Sequence, residues 1–446
     1  MTRRTHSIRP LLSWLVLLIA VLFSAAAAAD ETCNSPYMAG LIKGQEEYVH
    51  VWTLGVQGWG DGSDKLVTID VNPRSNKYGR VVHAAPVGGR GEAHHMGFTD
   101  DRRFLWAGRL DDSKIFVFDV GTDPSKPELV KTIVDLPERS GLVGPHTFYA
   151  LPGRMLVGAL SNAKDNGGVT GLVVYNNRGD FIQKVMMPTG PVGDARGDGY
   201  GYDVAINPRR NALLTSSFTG RDNYLRDLGS LIKDPAAMKR FGNTMVLWDL
   251  KALQSRRVFS VPGAPLEIRW SLNPKDNWAI TATALTSKLW LVRQDAGGAW
   301  HSKEVATIGD PSKVPLPVDI SIRADGRGLW VNTFMDGMTR YFDLTNPDKP
   351  KQTYAKQTGR QVNMISQSWD GKRVYVTSSL LEHWDKAGAD NEQFLRAFNW
   401  DGKELKPAFE VDFAKEQLGR AHHMKFTAHP VGVAAADAPP EPSSAY

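Results

Sequence analysis

The chain has 446 residues, 42% of them hydrophobic and 23% charged, with 42 Gly and 26 Pro. That length and apolar content suit a large globular core and exclude disorder, collagen and bare coiled coil. The formal charge of +5 nearly vanishes once the basic N-terminus is set aside: 53 bases fall to 50 as Arg3, Arg4 and Arg9 leave, against 48 acids, so no nucleic-acid partner is expected.

In chain order, Arg3 and Arg4 precede an apolar run over residues 11–23, and small residues 25–29 lead into Asp30. This is the layout of a secretory signal with an A-x-A cleavage site, so residues 1–29 are expected to be removed and the protein to reach the periplasm. The run is shorter than the ~20 apolar residues of a membrane span, so no stable membrane insertion is expected, an uncleaved anchor being the alternative. Arg3-Arg4 leaves the twin-arginine route open beside the general one. One cysteine, Cys33, precludes an internal disulfide, a zinc ribbon and a dithiol centre.

From residue 48 onward a short strand recurs that ends in Asp or Asn before a turn, at Asp70, Asp119, Asn176, Asp249, Asp343 and Asn399, with a seventh copy over 290–293 that lacks the acid. Asp and Asn suit that place because their side chains bond the backbone of the following turn. Seven copies about 55 residues apart are the mark of a propeller. Upstream of most copies lie two more β-rich runs, so six groups of four strands can be drawn. The seventh group is split: 48–54, 66–70 and 80–83 supply three strands and 422–427 supplies the first. The expected fold is all-β, one seven-bladed β-propeller over residues 30–430, closed by strand exchange between N- and C-terminal segments. Residues 219–243, with Leu225, Leu228, Ile232 and Ala237 at helix-like spacing, predict a helical excursion over one face. Residues 431–446, rich in Ala, Pro and Ser, read as a disordered tail.

The first strand of each blade lines the channel, so residues in equivalent places at its start form a ring. Counting back from the second strands puts His95, His146, Asp203, Asp319 and Met364 at one level, with Glu267 within a residue or two of it. Segment 422–426, His-His-Met-Lys-Phe, echoes 94–98, His-His-Met-Gly-Phe. Five of the ten histidines that remain after signal removal thus fall at three neighbouring blade starts. Imidazoles beside carboxylates suit copper, zinc or iron; a merely polar, watery channel is the alternative. His50, His83, His301, His383 and His429 read as solvated surface residues.

The chain resembles the selenium-binding protein family and its exported bacterial branch, the methanethiol oxidases. The resemblance is carried by Cys33-Asn34-Ser35-Pro36-Tyr37, Glu92-Ala93-His94-His95, Gly201-Tyr202-Asp203, Pro265-Leu266-Glu267-Ile268-Arg269 and Gln367-Ser368-Trp369-Asp370-Gly371. It implies a seven-bladed propeller that uses copper to convert methanethiol, dioxygen and water into formaldehyde, hydrogen sulfide and hydrogen peroxide. It implies His94, His95, His146 and His422 as metal ligands; the match fails at His423, where many members carry Glu, which leaves His423 as an additional ligand or a supporting group, and Cys33, which matches an N-terminal cysteine of the family, is a further candidate. Asp203, Glu267 and Asp319 are the candidate proton carriers. The expected partners are a small thiol and dioxygen, with a metallochaperone for copper and a homo-oligomer as an open alternative. Thr53 stands near the place of the selenium-linked cysteine of vertebrate members. A metal-dependent hydrolase of lactonase type and a non-catalytic selenium- or ligand-binding propeller are the competing functions.

Overall fold

The computed structural model describes residues 45–385 and 392–429. The expectations for the signal segment, Cys33 and the tail lie outside these residues. Seven four-stranded antiparallel sheets follow one another around a ring, with one extra two-stranded hairpin, Pro191–Val192 with Ala195–Arg196. The innermost strands are Ala93–Phe98, Leu142–Leu151, Val204–Asn207, Pro265–Trp270, Pro317–Ile322, Ile365–Gln367 and Arg420–Thr427. Six sheets run outward in sequence order. In the remaining one Arg420–Thr427 is innermost, followed by Tyr48–Leu54, Lys65–Asp70 and Val81–Pro86, and Tyr48 pairs with Thr427 and Val51 with Met424.

The strand-ending acids act as their chemistry dictates. Asp70 Oδ1 accepts the amide of Asn72, Asp119 Oδ1 those of Gly121 and Thr122, and Asp249 Oδ1 those of Lys251 and Ala252, each fixing the turn to the outer strand. In the sheet that contains Asn399 this role passes to Asp401, which accepts from Lys403 and Glu404. Outer strands such as Glu128–Ile133 are largely exposed, whereas inner strands are buried along their whole length.

The core is divided among the sheet-to-sheet interfaces. Trp52 and Leu66 pack with Leu105, Phe116 and Phe118 of the next sheet, and Trp278 and Ile280 with Ile320 and Leu329. Trp52, Trp106, Trp248 and Trp330 are fully buried, and burying a large apolar side chain is worth roughly 1.5–3 kcal/mol. Gly97 marks the tightest approach that concerns the site: a Cβ there would lie 2.1 Å from the Phe148 carbonyl oxygen, so only glycine lets the strand bearing His94 and His95 approach the strand bearing His146.

Residues 219–243 form three one-turn helices, Arg221–Tyr224, Leu228–Leu231 and Pro235–Met238, between the second and third strands of one sheet. Their apolar side chains Tyr224, Leu231 and Ala237 join Phe218, Phe241 and Trp384 in one cluster with Leu266 and Val318 of the inner strands. The excursion therefore roofs one end of the channel, and the Leu228 amide, which donates to the His383 carbonyl at 3.2 Å, ties it to the 380–385 loop. No helix of the described residues is long and apolar enough to cross a membrane.

Candidate metal centre

A regular strand alternates its side chains, so adjacent histidines should point to opposite faces. Here they do not, because the inner strands bulge at the site. Ala93 pairs with Arg109 but Met96 with Ala107, leaving His94 and His95 to share the place of one partner residue. Between Pro145 and Thr147, His146 is the extra residue. Leu266 and Glu267 lie in the gap between Pro265 and Ile268, and Val318 in that between Pro317 and Asp319. His422 and His423 fall in the gap between Ala421 and Met424. Such bulges re-aim side chains, and together they bring the site residues to the roofed end of the channel.

His94, His95 and His146 each offer a ring nitrogen, all within 4.8 Å of one another. The His422 ring stacks on that of His94 at 4.1 Å between centroids. All four are buried. Hydrogen bonding orients two of them. Thr147 Oγ1 donates to the Tyr202 carbonyl at 3.0 Å and so receives the Nδ1 proton of His146, also at 3.0 Å. His422 Nδ1 donates to the Ser379 carbonyl at 2.8 Å. Both rings therefore present an unprotonated Nε2, and those two atoms, with His94 Nδ1, are buried without a hydrogen-bond partner. Buried nitrogens left without a partner are costly in a closed fold, and His94, His95 and His146, whose ring nitrogens lie within 4.8 Å of one another, are placed to share a metal, with His422 beside them through its ring contact with His94. An all-imidazole donor set fits copper or zinc and does not suit a hard, oxygen-seeking ion.

His423 differs. Its Nδ1 accepts the Met96 amide at 3.2 Å while its ring stacks on His95 at 4.6 Å, so this lone pair is engaged by the backbone. Burial holds His94, His95, His146 and His423 well below the usual imidazole range, with neighbouring charges adding to it, and takes His422 down to about 4. The cluster is thus neutral and ready to coordinate.

Asp203, Glu267 and Asp319 gather around Arg269. Its Nη1 donates to Asp203 Oδ2 at 3.2 Å and to Glu267 Oε2 at 3.0 Å, and its Nη2 to Asp319 Oδ1 at 2.9 Å. Asp203 also accepts the amides of Val204 and Ile268, and Asp319 those of Ile320 and Ile365. Glu267 Oε1 alone among these oxygens is buried without a partner, and lies 3.7 Å from His95 Nε2. Burial, reinforced by Asp203, pushes the Glu267 carboxyl well above the usual range, and burial raises Asp319 to about 6.

Two sequence expectations need correction. Met364 does not face the site: its side chain packs with Trp369, Tyr375 and Leu395 between blades. Asn363 and Met364 both hydrogen-bond Thr377 through the backbone, so a bulge turns the neighbouring residue inward. Asn363 Nδ2 then donates to the Ser379 carbonyl and sits 3.0 Å from His422 Nδ1. His50 is no surface residue. It is fully buried between Thr68 Oγ1 and Thr427 Oγ1, because the strand it occupies is the second and not an outer one. Sequence reasoning also missed the roles of Arg269 and Thr147. The signal for Arg269 was a cation two residues after an acid on a channel strand. Thr53, buried, donates to the Lys65 carbonyl and offers no thiol.

Over His94 lies a chamber walled by Tyr202, Phe218, Phe241, Leu266, Val318 and Trp384 among others. Its cavity volume is about 20 Å³, room for one or two waters. Tyr202 packs on the His146 ring at 4.1 Å and on Phe218 at 5.2 Å, joining the histidines to the roof.

The profile of the 56 kDa selenium-binding protein family (SBP56) matches residues 27–438. A methanethiol oxidase from a Hyphomicrobium species is 65% identical over 399 residues, covering 90% of this chain and 91% of its own length. One from Ruegeria pomeroyi is 57% identical over 408 residues, covering 90% and 93%. Human methanethiol oxidase is 28% identical over 464 residues, covering 88% and 96%. Among solved structures, a hypothetical selenium-binding protein from Sulfolobus tokodaii superposes with a TM-score of 0.74 at 24% identity, covering 88% of this chain and 96% of that one. A periplasmic gluconolactonase from Pseudomonas aeruginosa does so at 0.60 and 13% identity, covering 86% and 99%; both share the fold.

Proposed function

The chain belongs to the 56 kDa selenium-binding protein family, and from that premise we propose that it is a copper-dependent methanethiol oxidase. The overall reaction, methanethiol plus dioxygen plus water giving formaldehyde, hydrogen sulfide and hydrogen peroxide, is balanced: carbon loses two electrons and dioxygen gains them. The observation that carries the reading is the buried cluster of His94, His95 and His146, with ring nitrogens within 4.8 Å of one another and His422 stacked on His94, beside an apolar chamber that His94 helps to line. The relatives at 65% and 57% identity bear the name of this activity.

His94, His95, His146 and His422 would hold the metal. Bound copper supplies one-electron redox chemistry between thiol and dioxygen and favours the thiolate form of its sulfur ligand. The chain supplies the rest. Thr147 and the Ser379 carbonyl orient the imidazoles, as second groups behind metal-binding histidines do. The roof excludes bulk water. Glu267 Oε1 is the atom we assign to proton transfer: with its carboxyl pushed above the usual range by burial, it gives a proton to a leaving sulfide or peroxide and retakes one from the incoming thiol or water. Asp203 and Asp319, bonded to backbone amides and Arg269, hold the charge balance around it.

The test is oxygen uptake by copper-loaded protein supplied with methanethiol, with sulfide, formaldehyde and peroxide measured together. Equimolar appearance of the three is expected. Absence of turnover by folded, copper-replete protein would discard the reading in favour of a binding propeller. The reading includes export directed by residues 1–29, for which recovery in the periplasmic fraction of a Gram-negative host, with the N-terminus near Asp30, is the measurement.

A further inference from the structure

His94, Tyr202 and Trp384, whose buried Nε1 has no hydrogen-bond partner, bring the polar atoms to the chamber lining; the remaining side chains around it are Leu, Val, Ala and Phe. A charged or zwitterionic thiol would lose its hydration there with little to replace it, whereas a neutral thiol with a short alkyl group gains by leaving water. The open volume of about 20 Å³ leaves room for only a very small occupant. Several lining residues stand apart from the strands that carry the histidines and acids, among them Ala284 and Leu381. Ala284 follows the second strand Trp278–Thr283, is buried, and is pinned by its amide to the Ala264 carbonyl at 3.0 Å. Leu381, also buried, accepts the amides of Trp384 and Asp385 at 2.9 and 2.8 Å, which fixes the turn it begins.

We propose that this chamber is the thiol-binding pocket, that it takes neutral alkanethiols by the alkyl end, and that Ala284 and Leu381 set the chain length it admits. The proposal rests on the methanethiol oxidase reading for the identity of the ligand, and on the chamber's shape for its limits. A pocket already filled by one carbon must shift its walls to take another, and one methylene discriminates by about tenfold or more. Because both residues lie off the inner strands, changing them alters the walls without removing a metal ligand.

The experiment measures oxygen uptake by copper-loaded full chain with methane-, ethane-, propane- and butanethiol. The expected result is a fall in kcat/KM of about tenfold or more for each methylene beyond the admitted length. Leu381→Ala should raise the propanethiol-to-methanethiol ratio at least tenfold, and Ala284→Leu should lower methanethiol kcat/KM by a similar factor at unchanged copper content. Should Ala284→Leu not fold, the ratio in Leu381→Ala decides. Turnover that ignores chain length, or a ratio unchanged in Leu381→Ala, overturns the pocket and leaves the oxidase reading standing. Crystals pressurised with xenon give a second readout independent of turnover. Xenon in the chamber supports the pocket even if the wild type oxidises no thiol, the result that would sink the activity reading, and a chamber without xenon overturns the pocket.

Discussion

The channel end has two unlike halves built on one plan. On one side the inner strands Arg420–Thr427, Ala93–Phe98 and Leu142–Leu151 present histidines; on the other Val204–Asn207, Pro265–Trp270 and Pro317–Ile322 carry Glu267 and Asp319, with Asp203 just ahead of the first. Both sides are buried, yet their hydrogen-bond accounts differ. His146 and His422 are each anchored through Nδ1 and keep Nε2 free. Asp203 and Asp319 have both oxygens bonded, and only Glu267 keeps one open. Place in the ring therefore does not decide role. The unpartnered atom does, setting His94, His146, His422 and Glu267 apart from the fully bonded Asp203 and Asp319.

The largest expected effect comes from removing the two anchored imidazoles together. His146→Ala with His422→Ala should abolish copper retention and thiol-dependent oxygen uptake, read by metal analysis after dialysis; copper held at full stoichiometry would erase the distinction between the halves. Next is Arg269→Met, which strands three buried carboxyls without their shared cation and should cost about 3–5 kcal/mol in denaturant unfolding of the metal-free protein. A loss under 1 kcal/mol would mean the acidic half does not depend on it. Glu267→Gln should lower kcat by about 100-fold or more while leaving copper content and the unfolding midpoint near wild type. If Asp319→Asn gives the same pattern, the assignment of the open oxygen to proton transfer is wrong.

The halves also differ in the sign of their response to pH. His50, on the closing blade beside the histidine half, is lowered by burial from 6.5 to about 3. Between those values the unfolded chain binds the extra proton, so its contribution to stability falls as pH falls. Asp319 is raised by burial from 3.8 to about 6; there the folded chain binds the extra proton, and its contribution falls as pH rises. In metal-free protein, His50→Gln should flatten the pH 4–6 stability slope and Asp319→Asn should steepen it, each by up to about 1.4 kcal/mol per pH unit. The smallest effect belongs to His423→Gln, which should leave copper stoichiometry and the nitrogen hyperfine pattern of the copper spectrum unchanged, because the Nδ1 of His423 accepts the Met96 amide.

The seven-fold repeat was legible because Asp or Asn recurs at the turn from third to fourth strand in six of the seven sheets. The histidines were legible because inner-strand starts share a level. What could not be read were the bulges, which depend on how each inner strand meets its neighbour and have no local residue code. They explain why counting back placed Met364 at the site instead of Asn363, and why Glu267 fell a residue or two off the common level. His50 was misread even though the repeat puts its strand second in the closing blade, because the sequence does not show that its side chain is enclosed between Thr68 and Thr427 of the strands on either side. The roof was foreseen as a helical excursion over a face, but that its apolar side chains close a chamber over His94 depends on contacts with Leu266 and Val318 that lie far away in sequence.

The strand Arg420–Thr427 is the most C-terminal of those described, and it both fills the inner place of the blade begun at Tyr48 and delivers His422. A ribosome-bound chain still short of this strand holds His94, His95 and His146 but lacks their fourth companion and has an open ring. Ring closure and the arrival of His422 beside His94 are therefore one event: a variant cut before Arg420 has neither the inner strand of that blade nor the fourth histidine of the proposed site.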